Sequence, residues 1–133
     1  MPLHQTGRNI IAALLLGESV TPLLTTTGAV MWVGSGTAAH SPTDNHLKGA
    51  SVAATMLTGY PLRAVNVDTF RALYATNQAN FDWAEWGIKN ATTTATSTAG
   101  STFMLQRKVE DPILGTKTSS QQWQLTVDLS ITT

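Results

Sequence analysis

Residues 122–131 alternate without a break. Trp123, Leu125, Val127, Leu129 and Ile131 stand against Gln122, Gln124, Thr126, Asp128 and Ser130. Successive side chains of a strand point to opposite faces, whereas a helix repeats every 3.6 residues and would scatter this pattern. The segment therefore predicts a strand with one face on a core and one face in water.

Other segments fit the same architecture. Residues 28–34, GAVMWVG, read as a short buried strand between glycines. Residues 64–75, AVNVDTFRALYA, place Val65, Val67, Thr69, Arg71 and Leu73 on one strand face and Phe70, Ala72 and Tyr74 on the other. Residues 83–89 and 103–108 are further strand candidates, and the apolar run at 50–57 fits helix or strand. Loops and turns are expected at 34–47, at Gly59-Tyr60-Pro61 and at 112–120. The small-residue tract NATTTATSTAG at 90–100 reads as a long hairpin loop or flexible tip.

One helix is expected, over about residues 7–17. Thr6 suits the N-cap, Ala and Leu favour the interior, and Gly17 suits the C-cap. No Lys-rich polar face accompanies it, so it reads as a helix packed on a sheet, not one lying on a membrane. Arg8 followed by IIAALLLG imitates part of a secretion signal, but a helix explains the segment better. The longest apolar run, 10–16, is too short to span a bilayer.

Strands joined by Gly, Thr and Ser turns predict a mainly β fold. The expected form is an antiparallel β-sandwich, jelly-roll-like, with the N-terminal helix added, as one structural domain over 1–133. Large aromatics bury the most apolar area. Trp32, Phe70, Phe81, Trp83, Trp86 and Trp123 are the expected core, with Leu125, Val127 and Leu129 of the alternating strand.

Charge narrows the function classes. Lys plus Arg equals Asp plus Glu, 8 against 8, and charged residues are 12% of the chain. Globular proteins carry about 25%, so this composition suits a surface covered by neighbours. Nucleic-acid binders show a basic excess or stripe. Here the densest basic spot, Arg107-Lys108, is cancelled at once by Glu110-Asp111 and reads as a solvated strand end or loop. No nucleic-acid or membrane partner is expected. With no cysteine, disulfides and thiolate chemistry are excluded.

The chemically capable residues form no recognisable site. His40 and His46 flank Asp44 in H-S-P-T-D-N-H, but the i, i+6 spacing matches no regular ligand pattern. These two histidines read as surface-loop residues. Asp82 with Glu85, and Glu110 with Asp111, are the local carboxylate pairs. Alternation turns Glu85 inward, where a carboxylate pairs more often with a cation or backbone N–H groups than it catalyses. Gly34-Ser35-Gly36 lacks the context of a nucleophile elbow and the lysine of a phosphate loop. No catalytic residue, metal site or cofactor is expected, and the chain reads as a non-enzyme.

Several motifs carry a resemblance. They are TGRNIIAALL, VMWVGSGTAA, LKGAS, VDTFRALYATNQANFDWAEWGIKNA, MLQRKVED and GTKTSSQQWQLTVDL, in this order over nearly the whole length. The most specific are ANFDWAEWGIKNA and LGTKTSSQQWQLTVDL. In these motifs the chain resembles a family of small structural proteins of tailed-bacteriophage virions. The resemblance implies a virion component assembled in the host cytoplasm, present in many copies or as a homo-oligomer. Its partners would be the major capsid protein or other virion subunits. Capsid decoration, or cement, is the leading expectation; a tail, baseplate or fibre-attachment protein is the alternative. A carbohydrate-binding module, using exposed tryptophans, is a further alternative. Thr92, Thr93, Thr94, Thr96 and Thr98 are candidate interface residues, on an arm that orders against an adjacent subunit.

Overall fold

The computed structural model describes residues 3–18, 29–90 and 104–131. The threonines at 92, 93, 94, 96 and 98, and the loop expected at 90–100, lie outside the described residues apart from Asn90. The fold is mainly β, with antiparallel sheets and one short N-terminal helix.

Helix α1 spans Gln5–Leu15 and starts two residues earlier than the sequence suggests. His4 is its N-cap in place of Thr6 and supplies no side-chain capping bond. The helix ends at Leu15, two residues short of the expected end, and Leu16 is the C-cap in place of Gly17, which follows it. Gly17 takes φ 72, and the N–H groups of Gly17 and Glu18 reach back to the carbonyls of Leu14 and Ala13. This paired return closes orphan carbonyls and needs a left-handed residue after the cap.

Among the described residues nine strands follow: β1 (Ala29–Gly34), β2 (Val52–Thr55), β3 (Leu62–Ala64), β4 (Val67–Tyr74), β5 (Asp82–Trp83), β6 (Glu85–Asn90), β7 (Met104–Val109), β8 (Gly115–Thr116) and β9 (Trp123–Ser130). The ambiguous 50–57 run is therefore a strand. Two expected strands are divided. The run 64–75 is interrupted by a two-residue turn at Val65-Asn66, because β3 pairs back on β4 with Ala64 opposite Val67. The run 83–89 breaks at Ala84, whose N–H and carbonyl leave the ladder to meet the Gly34 carbonyl and the Glu110 N–H. Trp83 thereby joins a small β5–β8 ribbon, while Glu85 begins a strand of the large sheet.

The strands form a four-stranded sheet in the order β2-β1-β6-β7, a three-stranded sheet in the order β3-β4-β9, and the β5-β8 pair. One core is filled from both larger sheets. Met31, Val33, Trp86, Ile88 and Leu105 come from the first, and Phe70, Ala72, Tyr74 and Val127 from the second. The Tyr74 hydroxyl donates to the Met31 carbonyl at 2.7 Å and ties the sheets together. Burial raises its pKa, so it stays a neutral donor. Trp83 meets Tyr74 and Trp123 edge-on, each at 5.0 Å between ring centres, a geometry favoured by the ring quadrupole. Leu3 and Ile10 pack α1 and its entry onto this core.

Trp32, Phe70, Trp83, Trp86 and Val127 are buried. Phe81, Trp123, Leu125 and Leu129 are only half-buried, packed against the core rim. The alternating strand thus has the expected inward face, but β9 pairs with β4 alone among the described residues, and an edge strand shields its side chains less.

Trp32 belongs to a second cluster. Met31 and Ile88 are in register, as are Trp32 and Gly87 one residue along, so Trp32 lies on the opposite face of the large sheet from Met31. There it packs with Leu47 and Met104, flanked by Val30 and Val52. Leu47 comes from the segment 35–51, which links β1 to β2 and folds back over this face.

Candidate functional site

Glu85 opens β6 opposite Gly34, on the sheet face that the 35–51 segment covers. Its side chain is fully buried. One carboxylate oxygen accepts the backbone N–H groups of Gly49 at 2.7 Å, Lys48 at 2.9 Å and Gly36 at 3.2 Å. The other accepts Arg107 Nε–H at 2.7 Å. A buried carboxylate needs this many donors to offset its lost hydration.

Arg107 lies on β7, and its side chain is fully buried as well. Nη1 donates to Asp44 Oδ2 at 2.9 Å and to the Ala39 carbonyl at 3.3 Å, and Nη2 donates to the Ala38 carbonyl at 2.8 Å. This corrects the expectation of a solvated strand end. Arg107 pairs in register with Gly87, which sends its side chain to the covered face. Of the two basic residues only Lys108 is exposed, and it forms a 2.9 Å ion pair with Glu110.

Asp44 completes the cluster. It accepts the Ser41 N–H at 2.9 Å and pairs with Lys48 at 3.3 Å as well as with Arg107. Burial pushes its carboxyl up, but the Ser41 N–H, Lys48 and Arg107 outweigh this and hold it below the usual carboxylate range. Three side chains from β6, β7 and the loop thus fix the backbone of 35–51 at six residues: 36, 38, 39, 41, 48 and 49.

The crossing is tight because two glycines meet there. A Cβ on Gly36 would collide with Glu85 Oε1 and the Gly49 nitrogen, and one on Gly49 would collide with the Gly36 nitrogen. The loop's N–H groups can reach Glu85 only where neither residue carries a side chain.

The histidines divide. His4 is buried, and it meets His40 edge-on, with His40 Nε2 and His4 Nδ1 sharing a 3.4 Å hydrogen bond. Burial, then the nearby His40, hold the His4 ring at about 4, below its ordinary 6.5. His46 pairs with the Asn45 side chain, and burial together with Lys48 lowers its pKa. Asp44, between them in sequence, is turned to Arg107. Among the described residues no group of three or more His, Asp or Glu is placed to hold a metal ion.

A second buried cation works in the same way. Lys117 Nζ donates to the Ala75 carbonyl and to Asn80 Oδ1, each at 2.8 Å, and pins the turn between β4 and β5. The Trp83 indole N–H donates to the Ala79 carbonyl in that turn at 3.0 Å. Lys89 is buried with its ammonium 5.7 Å from the Trp32 ring centre, and burial lowers its pKa. Of the expected carboxylate pairs, Asp82 is exposed while Glu85 is buried, so they face different surroundings. Glu110 accepts the Trp86 indole N–H at 2.9 Å. Burial raises its pKa, but that bond and Lys108 more than offset this and leave it lowered.

Sequence reasoning found Glu85 and its kind of partner but missed Arg107, Asp44 and Lys117. The available signal was the pair of glycines, Gly36 and Gly49, at either end of a polar loop facing an inward carboxylate. No helix among the described residues is long and apolar enough to cross a membrane. No family model matches the chain, and no curated protein or solved structure matches it at a significant level.

Proposed function

We propose that the chain is a non-enzymatic structural component of a tailed-phage virion. Its role is capsid decoration: it binds and stabilises the shell of major capsid protein. We read its two larger sheets as the layers of an antiparallel, jelly-roll-like β-sandwich.

The observation that supports this reading is how the resembling motifs use their buried charges. ANFDWAEWGIKNA contributes Glu85, MLQRKVED contributes Arg107, and GTKTSSQQWQLTVDL contributes Lys117. All three are buried, and all three hold loop backbone. Groups able to do acid–base chemistry here set the shape of loops. That suits a part whose task is to present a fixed surface to neighbours. Repeated copies on a shell then act together, so each needs only a modest interface.

Tryptophan burial argues against the carbohydrate-binding alternative. Trp32, Trp83 and Trp86 are 3%, 2% and 4% exposed, and a ring must offer a free face to stack on a sugar. The test of cement function is addition of the purified protein to expanded, undecorated shells. Increased resistance to heat and shear supports the proposal. Binding without any gain, or no binding, contradicts it and favours the tail, baseplate or fibre-attachment reading.

A further inference from the structure

Exposed apolar side chains gather at one end of the body. Helix α1 finishes on Leu14 and Leu15, with Leu16 as its C-cap, and the three are 48%, 82% and 79% exposed. Consecutive residues of a helix stand about 100° apart around its axis, so a helix end lying on a sheet cannot bury both leucines and their cap. Leu62 on β3 and Ile131 just after β9 are also exposed. Together with Leu14 and Leu15 they line a groove of about 530 Å³ between α1 and the three-stranded sheet. Val65 continues the patch at the β3–β4 turn, where the adjacent Asn66 carbonyl accepts the Ile131 N–H. It is 87% exposed and sits at φ 56, a backbone conformation that strains a β-branched residue.

The groove carries one charge of each sign. Arg63 and Asp68 both line it and stand opposite one another in the β3–β4 register. They form no ion pair with each other. The Arg63 side chain donates only to the Val65 carbonyl, and the Asp68 carboxylate has no partner among the described residues.

We propose that this end of the body docks a second copy of the chain about a two-fold axis. The end of α1 in each copy sits against the groove of the other, and Arg63 of each copy meets Asp68 of its partner. A two-fold interface brings the same patch together from both sides, so residue i meets j and j meets i. A patch with one free cation and one free carboxylate satisfies that condition, and the zero net charge of the chain sets no repulsion against it. The leucines, Val65 and Ile131 expose apolar surface on the order of 600 Å², at the upper end of what monomers show. That approaches the roughly 800 Å² that each partner gives to a standard interface. The dimer stands whether or not the chain is a virion component.

The experiment is sedimentation equilibrium of the purified full chain over a wide concentration range, with folding followed by circular dichroism. The wild type is expected to dimerise. Leu15→Glu, at a site exposed in the monomer, should give a folded monomer. Arg63→Asp and Asp68→Arg should each weaken the dimer by about ten-fold or more. The double reversal should recover most of that loss, because the pair is rebuilt across the axis. A wild type that stays monomeric overturns the proposal, as does a dimer indifferent to both Leu15→Glu and the charge reversals. Either result assigns the groove to a different partner. If Leu15→Glu does not fold, the charge-reversal series decides alone.

Discussion

Arg107 Nε donates to Glu85 Oε2 at 2.7 Å, and neither side chain is reached by solvent. The two residues stand on neighbouring strands, and each uses its remaining capacity on the same loop, Glu85 on its N–H groups and Arg107 on its carbonyls. The pair is therefore a clasp that binds 35–51 to the large sheet.

Removing one half of the clasp leaves the other charge buried without its counter-ion. Glu85→Gln and Arg107→Met should each destabilise the protein by about 3–5 kcal/mol. Urea unfolding measures this. The double variant should cost less than the two singles added, since each single already loses the shared bond. Simple additivity would mean that the two side chains do not act as a unit.

Space at the glycine crossing gives a second handle. Gly36→Ala keeps every charge in place yet forces a methyl group onto Glu85 Oε1 and the Gly49 nitrogen. A loss of about 2 kcal/mol is expected, in the range of overpacking. At Gly17 a Cβ meets open space, and only φ 72 opposes it. Gly17→Ala should cost about 1 kcal/mol. Equal effects at the two sites would show that the crossing is looser than described.

His4 sets an acid limit. Its ring titrates at about 4 in the folded protein, against an ordinary 6.5. Below pH 6.5 the unfolded chain takes up the proton first, so the unfolded state binds more protons there. The contribution of neutral His4 is fully present above pH 6.5 and is lost as pH falls towards 4. His46, also lowered, adds to the slope in the same direction. The groups around His4 are His40, Asp44, Arg107 and Arg8. A complete shift of this size corresponds to about 3 kcal/mol. His4→Phe should flatten the stability profile between pH 6.5 and 4, measured by urea midpoints at each pH. An unchanged slope would remove His4 from the account.

Trp83 joins three parts of the structure. Its ring meets Tyr74 and Trp123, and its N–H holds the Ala79 carbonyl. Trp83→Ala should cost about 3–5 kcal/mol and reduce attachment only through unfolding. Loss of attachment with a normal unfolding curve would make the ring an interface residue.

What the sequence disclosed follows from which forces are local. The alternation at 122–131 is a local pattern, and it placed β9 and the inward side of Trp123, Leu125, Val127 and Leu129 correctly, whereas Ile131 lies past the strand and is exposed. Burial depth is not local: Leu125 and Leu129 are shallow because β9 has a neighbour on one side only among the described residues. The turn at Val65-Asn66 was hidden because valine at positive φ runs against turn preference. Glu85 was recognised by its inward position. Arg107 was misread because its neighbours Lys108 and Asp111 are exposed. Its partners other than Glu85, namely Asp44 and the carbonyls of Ala38 and Ala39, are more than sixty residues away in the chain. Composition and spacing carry no trace of a contact at that separation.

The most direct test of the proposed role is a count of this protein in purified virions by quantitative mass spectrometry, scaled to the major capsid protein. Hundreds of copies per particle are predicted for a capsid decoration protein. Absence from the particle, or a handful of copies, would contradict that role.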